Sequence, residues 1–179
     1  MFWALFVGAL SGVGILYLER ERAMGQIVRA MSKNMIDRIE HQRSWVKGHL
    51  TEESTLKYDT IEGKLLLLQG IIDADYYQKE QAMELQSLGV TLGDSLVQSM
   101  DLEWVEVEDE YGLDPALRHK DTETYKNILL FPLTMISKRI EDDEAVNVET
   151  LYRVLCNTVQ KMIDGCQSQE LPIDVQPAP

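Results

Sequence analysis

The apolar positions change their spacing several times along the chain, and each spacing predicts a different element. Residues 2–18 contain no charged side chain, and Trp3 and Tyr17 stand near their two ends. As a helix this stretch spans roughly 26 Å, close to the thickness of the hydrocarbon core of a bilayer. Aromatic side chains prefer the membrane interface. The pattern predicts a transmembrane anchor, and the alternatives are a cleaved signal peptide or a buried core helix.

The residues around this stretch suggest how such an anchor is oriented. Cations follow it and none precedes it, since Arg20, Arg22, Arg29 and Lys33 all come after residue 18. Lys and Arg favour the cytoplasmic side. This predicts a single-pass protein of a bacterial inner membrane with its folded domain in the cytoplasm. Gly8 and Gly12 form a GxxxG step, which favours a homodimer.

Between residues 19 and 47 the apolar side chains recur at intervals of three and four, the spacing of a helix. Lys and Arg occupy much of the other face. The pattern predicts a basic amphipathic helical stalk, which either packs on the domain that follows or lies against anionic lipid or a partner helix.

The remaining chain, residues 48–164, reads as one α+β domain. Helical spacing predicts three helices, over residues 60–73, 78–100 and 148–164. Trp104 to Glu108 alternate between apolar and polar side chains, as a half-buried strand does. With further strands over 116–119 and 127–131, we expect helices packed on a small antiparallel three-stranded sheet. The proline-rich tail, residues 165–179, predicts disorder.

The charge of the protein is large and uneven. The 179 residues include 17 Lys and Arg against 30 Asp and Glu, a net charge of −13. Residues 19–47 nevertheless carry +3, so residues 48–179 carry −16. An acidic protein is repelled by nucleic-acid phosphates, which excludes a nucleic-acid-binding function. The acidic domain instead favours a basic protein partner, because complementary charge accelerates encounter.

Several short motifs between residues 60 and 163 resemble a bacterial family catalogued as domain of unknown function 3806. They are Leu88-Gly89, Gly93-Asp94, Glu103-Trp104, Asp109-Glu110-Tyr111-Gly112, Ala116-Leu117-Arg118 and the run from Phe131 to Arg139. The resemblance supports the boundary between the predicted stalk and the domain that follows it. It implies no activity, cofactor or site, and it does not cover the predicted anchor and stalk.

The acidic run at the end of the predicted strand is the candidate site. Because it adjoins exposed aromatic and cationic side chains, it has the composition of a binding surface, and its candidate residues are Trp104, Glu106, Glu108, Asp109, Glu110, Tyr111, Arg118 and Arg139. In the alternative interpretation the acids only shape a turn. Arg118 then braces Glu108 or Glu110.

The sequence offers little support for an enzyme. Three histidines lack zinc-ligand spacing, and there is no GxSxG, GxGxxG or P-loop motif. We therefore expect no metal and no cofactor. The sequence favours a membrane-anchored, non-enzymatic interaction module. The alternatives are an immunity-type inhibitor of a basic toxin and a small hydrolase that uses Glu108, Asp109 or Glu110 as general acid or base.

Overall fold

A computed structural model describes residues 26–75, 77, 79–125 and 128–168. Its sheet has four antiparallel strands in chain order: β1 (Ile27–Ala30), β2 (Leu102–Asp109), β3 (Gly112–His119) and β4 (Leu129–Leu130). The hairpin that joins β2 and β3 pairs Asp109 with Gly112 across a two-residue turn. Gly112 has φ +133°, a conformation that side chains disfavour, so glycine suits this position.

Six α-helices accompany the sheet in the described part of the chain. They are α1 (Lys33–Gly48), α2 (Glu52–Tyr58), α3 (Ile61–Asp73), α4 (Ala82–Ser99), α5 (Ser137–Glu141) and α6 (Val148–Ser168), and a 3-10 turn (Pro132–Thr134) precedes α5. Hydroxyl side chains cap the first three helices, because Ser32, Thr51 and Thr60 each accept a hydrogen bond from a backbone N–H three residues on. Asn147 does the same for α6.

Helix α4 lies at the centre of the fold. Leu85, Leu88, Leu92 and Leu96 form one buried row, which packs in the main core with side chains from α3, α6 and the sheet. Two glycines let neighbours approach α4 closely. A Cβ on Gly89 would lie 2.5 Å from the Leu133 Cα, and one on Gly93 would lie 2.5 Å from the Trp104 ring. The 3-10 turn and strand β2 therefore both press directly against the backbone of α4.

The two faces of the sheet differ in what they bury. Val105, Val107 and Ala116 form a small cluster on one face, with partly buried side chains from β1 and β4 around it. Trp104 and Leu117 pair across the strands on the opposite face, where they join the helices. The predicted alternation along β2 is present, but Glu106, on the helical side, is 2% exposed.

The structure corrects the predicted fold in two respects. The sheet has four strands where three were predicted, because Ile27–Ala30, inside the predicted helical stalk, forms β1 at its edge. Helix α1 packs on α4, so this segment is part of the folded domain.

The second correction concerns the membrane. No helix in the described residues is both long enough and apolar enough to cross a bilayer. This finding contradicts the predicted transmembrane helix, the single-pass topology and the location in a bacterial inner membrane. Residues 2–18, with Gly8 and Gly12, lie outside the described residues, as does most of the predicted disordered tail.

Candidate functional site

Glu106, the central acid of the predicted site, forms hydrogen bonds inside the fold. Its Oε1 accepts a hydrogen bond from Arg29 Nε at 2.5 Å, and its Oε2 accepts one from the backbone N–H of Ser32 at 3.0 Å. Hydrogen bonds from Ser32 and Arg29 lower the pKa of the Glu106 carboxyl to about 2. The carboxylate is thus held ionised, and its role is to fasten β1 and the start of α1 to β2.

The neighbouring acids are also engaged within the hairpin. Glu108 Oε2 lies 2.9 Å from Arg29 Nη2, so one guanidinium serves two carboxylates. Asp109 Oδ1 accepts from the backbone N–H of Tyr111 at 2.9 Å and shapes the turn, as the alternative interpretation predicts. Glu110 is exposed, and Tyr111 is 74% exposed at the tip.

The other predicted site residues do not join this run. Trp104 Nε1 donates to Asp94 Oδ1 at 2.9 Å, on the helical side of the sheet. Arg118 does brace a glutamate, but that glutamate is Glu103. Its Oε1 accepts hydrogen bonds from Arg118 Nε at 3.0 Å and from Arg118 Nη2 at 2.7 Å. Arg139 Nη1 donates to the Met135 carbonyl at 2.5 Å. The eight predicted residues therefore do not converge on one site, and most of them make separate structural contacts.

A second acidic region, which the sequence analysis missed, lies around a cavity. We call this cavity, of about 540 Å³, the acidic groove; its lining residues are Ile71, Ile72, Asp73, Asp75, Tyr77, Lys79, Glu80, Leu85, Leu88, Ile140, Asp143, Glu144, Ala145 and Val146. They come from the end of α3, the described residues of the loop between α3 and α4, the first half of α4, and α5 with the loop that follows it.

Backbone geometry and one glutamine hold the two sides of the groove together. Asp75 has φ 50° and Asp143 has φ 55°, a left-handed conformation that aspartate tolerates better than most residues. On the α3 side, Gln69 Nε2 donates to the Val146 carbonyl at 3.2 Å, while its Oε1 accepts from the Val148 N–H at 2.8 Å. The side chain of Gln69 thus pins the start of α6 to α3.

The groove combines an apolar floor with an acidic rim. Leu85 and Leu88 are buried in the core beneath it. Among the described residues that line it, five carry carboxylates and one, Lys79, carries an ammonium group. Asp73, Asp75, Glu80, Asp143 and Glu144 are all exposed. Exposed carboxylates in a concave surface focus a negative potential toward a ligand. Among the described residues no cluster of His, Cys, Asp and Glu could hold a metal ion.

The groove left only a faint signal in the sequence. Residues 141–144 read Glu-Asp-Asp-Glu, a denser acidic run than the one at the hairpin, but they lie far along the chain from residues 73–80. Only the packing of α3 and α5 against α4 brings the two segments together.

Comparisons with known proteins agree with this picture of the fold. No curated protein sequence matches the chain. A crystal structure at 1.50 Å resolution of a protein from Bacteroides thetaiotaomicron VPI-5482 is similar, with a TM-score of 0.58 and 17% identity. The match covers 74% of this chain and 48% of that one, so this chain accounts for about half of that protein's length. At this identity the similarity concerns the fold alone.

The family resemblance rests on the sequence itself. The motif Gly89, Gly93 and Asp94 has a physical role, because the two glycines admit Leu133 and Trp104 while Asp94 accepts from Trp104. The sequence model of the family described as Domain of unknown function (DUF3806) matches residues 64–152. This match confirms the resemblance over residues 64–152.

Proposed function

We propose that the protein is a non-enzymatic interaction module that binds a basic segment of a partner protein in the acidic groove. The observation that carries the proposal is the placement of five carboxylates and one Lys around an apolar cavity of about 540 Å³. A pocket of this size falls within the range that proteins use for specific ligands. The net charge of −13 adds a long-range attraction for cations.

The lining indicates which partner segment fits. Ile71 and Ile72, which are partly exposed, offer apolar contact to an aliphatic side chain such as leucine. Asp75 and Glu80, from the α3–α4 side, and Asp143, from the loop after α5, offer carboxylates to flanking Lys or Arg side chains. Burial of the aliphatic side chain supplies affinity, while the charges supply orientation and a fast association rate.

The hairpin supports this role less well, although its sequence is equally acidic. Arg29 already neutralises part of the charge of Glu106 and Glu108, at 2.5 Å and 2.9 Å. A partner cation would have to compete with that arginine. A carboxyl whose pKa is held near 2 is also a poor general acid or base at neutral pH, which argues against hydrolysis at Glu106.

Binding of a short labelled peptide tests the proposal directly. A pentapeptide of alternating leucine and lysine should bind in a fluorescence-anisotropy titration and weaken as salt is added. The triple variant Asp75→Asn, Glu80→Gln, Asp143→Asn should weaken binding roughly tenfold, since three partly screened charge pairs contribute about 0.5 kcal/mol each. Asn tolerates the left-handed backbone at positions 75 and 143, so the loops keep their shape.

Two controls separate the groove from general charge attraction. The variant Glu52→Gln, Glu53→Gln, Glu62→Gln removes three exposed acids that do not line the groove, and it should bind the peptide within twofold of wild type. A serine–lysine pentapeptide of equal charge should bind at least tenfold more weakly, because it lacks apolar side chains. Equal affinity of the groove variant and wild type, or of the two peptides, would contradict the proposal.

A further inference from the structure

Arg38 differs from Arg43 and Arg118, two other arginines that lie partly buried in the described part of the chain. Arg43 reaches both oxygens of Asp94, at 2.7 and 2.5 Å, and Arg118 reaches Glu103. Within the described part of the chain the guanidinium of Arg38 has one hydrogen-bond partner, the neutral Gln86, whose Oε1 lies 3.1 Å from Arg38 Nη2. A half-buried guanidinium without a carboxylate partner is an unusual feature in a protein with 30 acidic residues.

This guanidinium lines a cavity of about 200 Å³, which we call the arginine notch. Its apolar walls are Pro115, Phe131 and Leu133. Lys138 and Asp114 contribute one charge of each sign to the lining, so the excess positive charge is that of Arg38. The notch is therefore a small cationic, apolar-walled site in a strongly acidic protein, and it lies among different residues from the acidic groove.

The walls of the notch are held in fixed positions by the fold. Leu133 is 5% exposed, and its backbone is pressed against α4 at Gly89, where a Cβ would lie 2.5 Å from the Leu133 Cα. Pro115 is buried on β3 opposite Glu106 of β2. The Arg38 side chain extends from α1, and Gln86 on α4 holds its guanidinium with a hydrogen bond. Such support orients the guanidinium without neutralising it.

We propose that the arginine notch binds the carboxylate of a small acid with an apolar body. The guanidinium of Arg38 takes the carboxylate in its planar fork, as arginine does at bidentate sites. Phe131, Leu133 and Pro115 cover the apolar body. The cavity is smaller than the roughly 300–1,000 Å³ of pockets for drug-sized ligands, so the acid is the size of benzoate. The site is separate from the groove of the proposed function and does not depend on it.

Fluorine NMR with 4-fluorobenzoate as the probe tests this site. The full chain should shift and broaden the probe signal with a dissociation constant in the millimolar range, and 4-fluorobenzamide, of the same shape but uncharged, should give at most a tenth of the effect. This comparison uses the wild-type protein alone, so it stands even if a variant misfolds. Equal effects from the two probes, or no effect of 20 mM 4-fluorobenzoate, would overturn the proposal.

Variants then locate the site. Arg38→Met should weaken 4-fluorobenzoate binding at least tenfold, and Arg38→Lys, which keeps the charge but loses the fork, should weaken it about threefold to fivefold. Arg153→Met removes an exposed cation of α6 that does not line the notch, and it should leave binding unchanged. If Arg38→Met and wild type bind alike, the carboxylate does not sit on Arg38 and the site is refuted.

Discussion

Two regions of this molecule are rich in acidic residues, and the structure uses their charge differently. In the β2–β3 hairpin, Glu106 and Glu108 both form ion pairs with Arg29, and the Asp109 side chain accepts a hydrogen bond within its own turn. In the acidic groove, the described lining residues include five carboxylates above an apolar floor and one cation, Lys79. The hairpin uses its charge to hold three elements together, whereas the five acidic residues of the groove are all exposed. An acidic run in a sequence thus indicates a binding surface only when the cationic side chains that pair with it in the structure are known.

The largest expected effect is on the free energy of unfolding. It comes from replacing a glycine in the helix packed behind each of the two regions. Gly93→Ala would place a Cβ 2.5 Å from the Trp104 ring behind the hairpin, whereas a Cβ on Gly70, beside the groove, meets nothing within 4 Å. We expect Gly93→Ala to lower the free energy of unfolding by about 1–3 kcal/mol, since overpacking costs that much. Gly70→Ala should raise it by about 0.5–1 kcal/mol, because alanine is the better helix former. Urea denaturation measures both.

The opposite signs make this pair of variants informative. If both glycine substitutions stabilise the protein, Trp104 and β2 do not press on α4 as described, and the hairpin is not rigidly mounted.

The stability of the protein at low pH should depend on the contacts of the Glu106 carboxylate. The pKa of its carboxyl is lowered to about 2 in the folded protein, from an ordinary value of 4.5. A lowered carboxyl pKa stabilises the fold above the unfolded value and loses that contribution as the pH falls toward the folded value. Wild type should therefore be more stable than Glu106→Gln at pH 7, and the gap should shrink between pH 4.5 and pH 2. Thermal unfolding at several pH values measures it.

Glu110→Gln is the matched control for that acid dependence, since Glu110 is exposed one residue beyond Asp109. Its stability should follow that of wild type across the same pH range. A gap between wild type and Glu106→Gln that stays constant down to pH 2 would show that Arg29 and Ser32 do not hold the Glu106 carboxylate.

The smallest expected effect is that of the hairpin on peptide binding. The variant Glu108→Gln, Asp109→Asn, Glu110→Gln removes as many charges as the groove variant does. The Asp109→Asn change keeps a side-chain oxygen that is able to accept the turn hydrogen bond. The affinity for the leucine–lysine pentapeptide should change less than twofold in the same anisotropy titration. A loss as large as that of the groove variant would remove the distinction between the two regions.

Local patterns in the sequence predicted the elements that depend on local physics. The spacing of apolar residues predicted a helix from residue 148, and α6 begins at Val148, where Asn147 Oδ1 accepts a hydrogen bond from the Thr150 N–H at 2.7 Å. The alternation from Trp104 to Glu108 predicted β2 in the same way. Both signals lie within a few residues of the elements they specify.

The predictions were wrong where contacts between residues far apart in the sequence determine the structure. Ile27 and Val28 fit a helical stripe, but they form β1 because pairing with β2 and the Arg29–Glu106 ion pair, 77 residues apart, select a strand. The same ion pair turned a predicted surface acid into a buried one. The groove was missed for the same reason, since its rim joins segments on either side of α4 that no local pattern connects.

We propose that the groove, and not the hairpin, is the binding surface, and a map of backbone amide shifts tests this proposal most directly. Addition of the leucine–lysine pentapeptide to the 15N-labelled full chain should move the amide signals of Ile72, Leu88 and Ala145, which line the groove. Signals of the hairpin tip at Glu110 and Tyr111 should stay in place. Shifts concentrated at the tip, with the groove signals unmoved, would contradict the account.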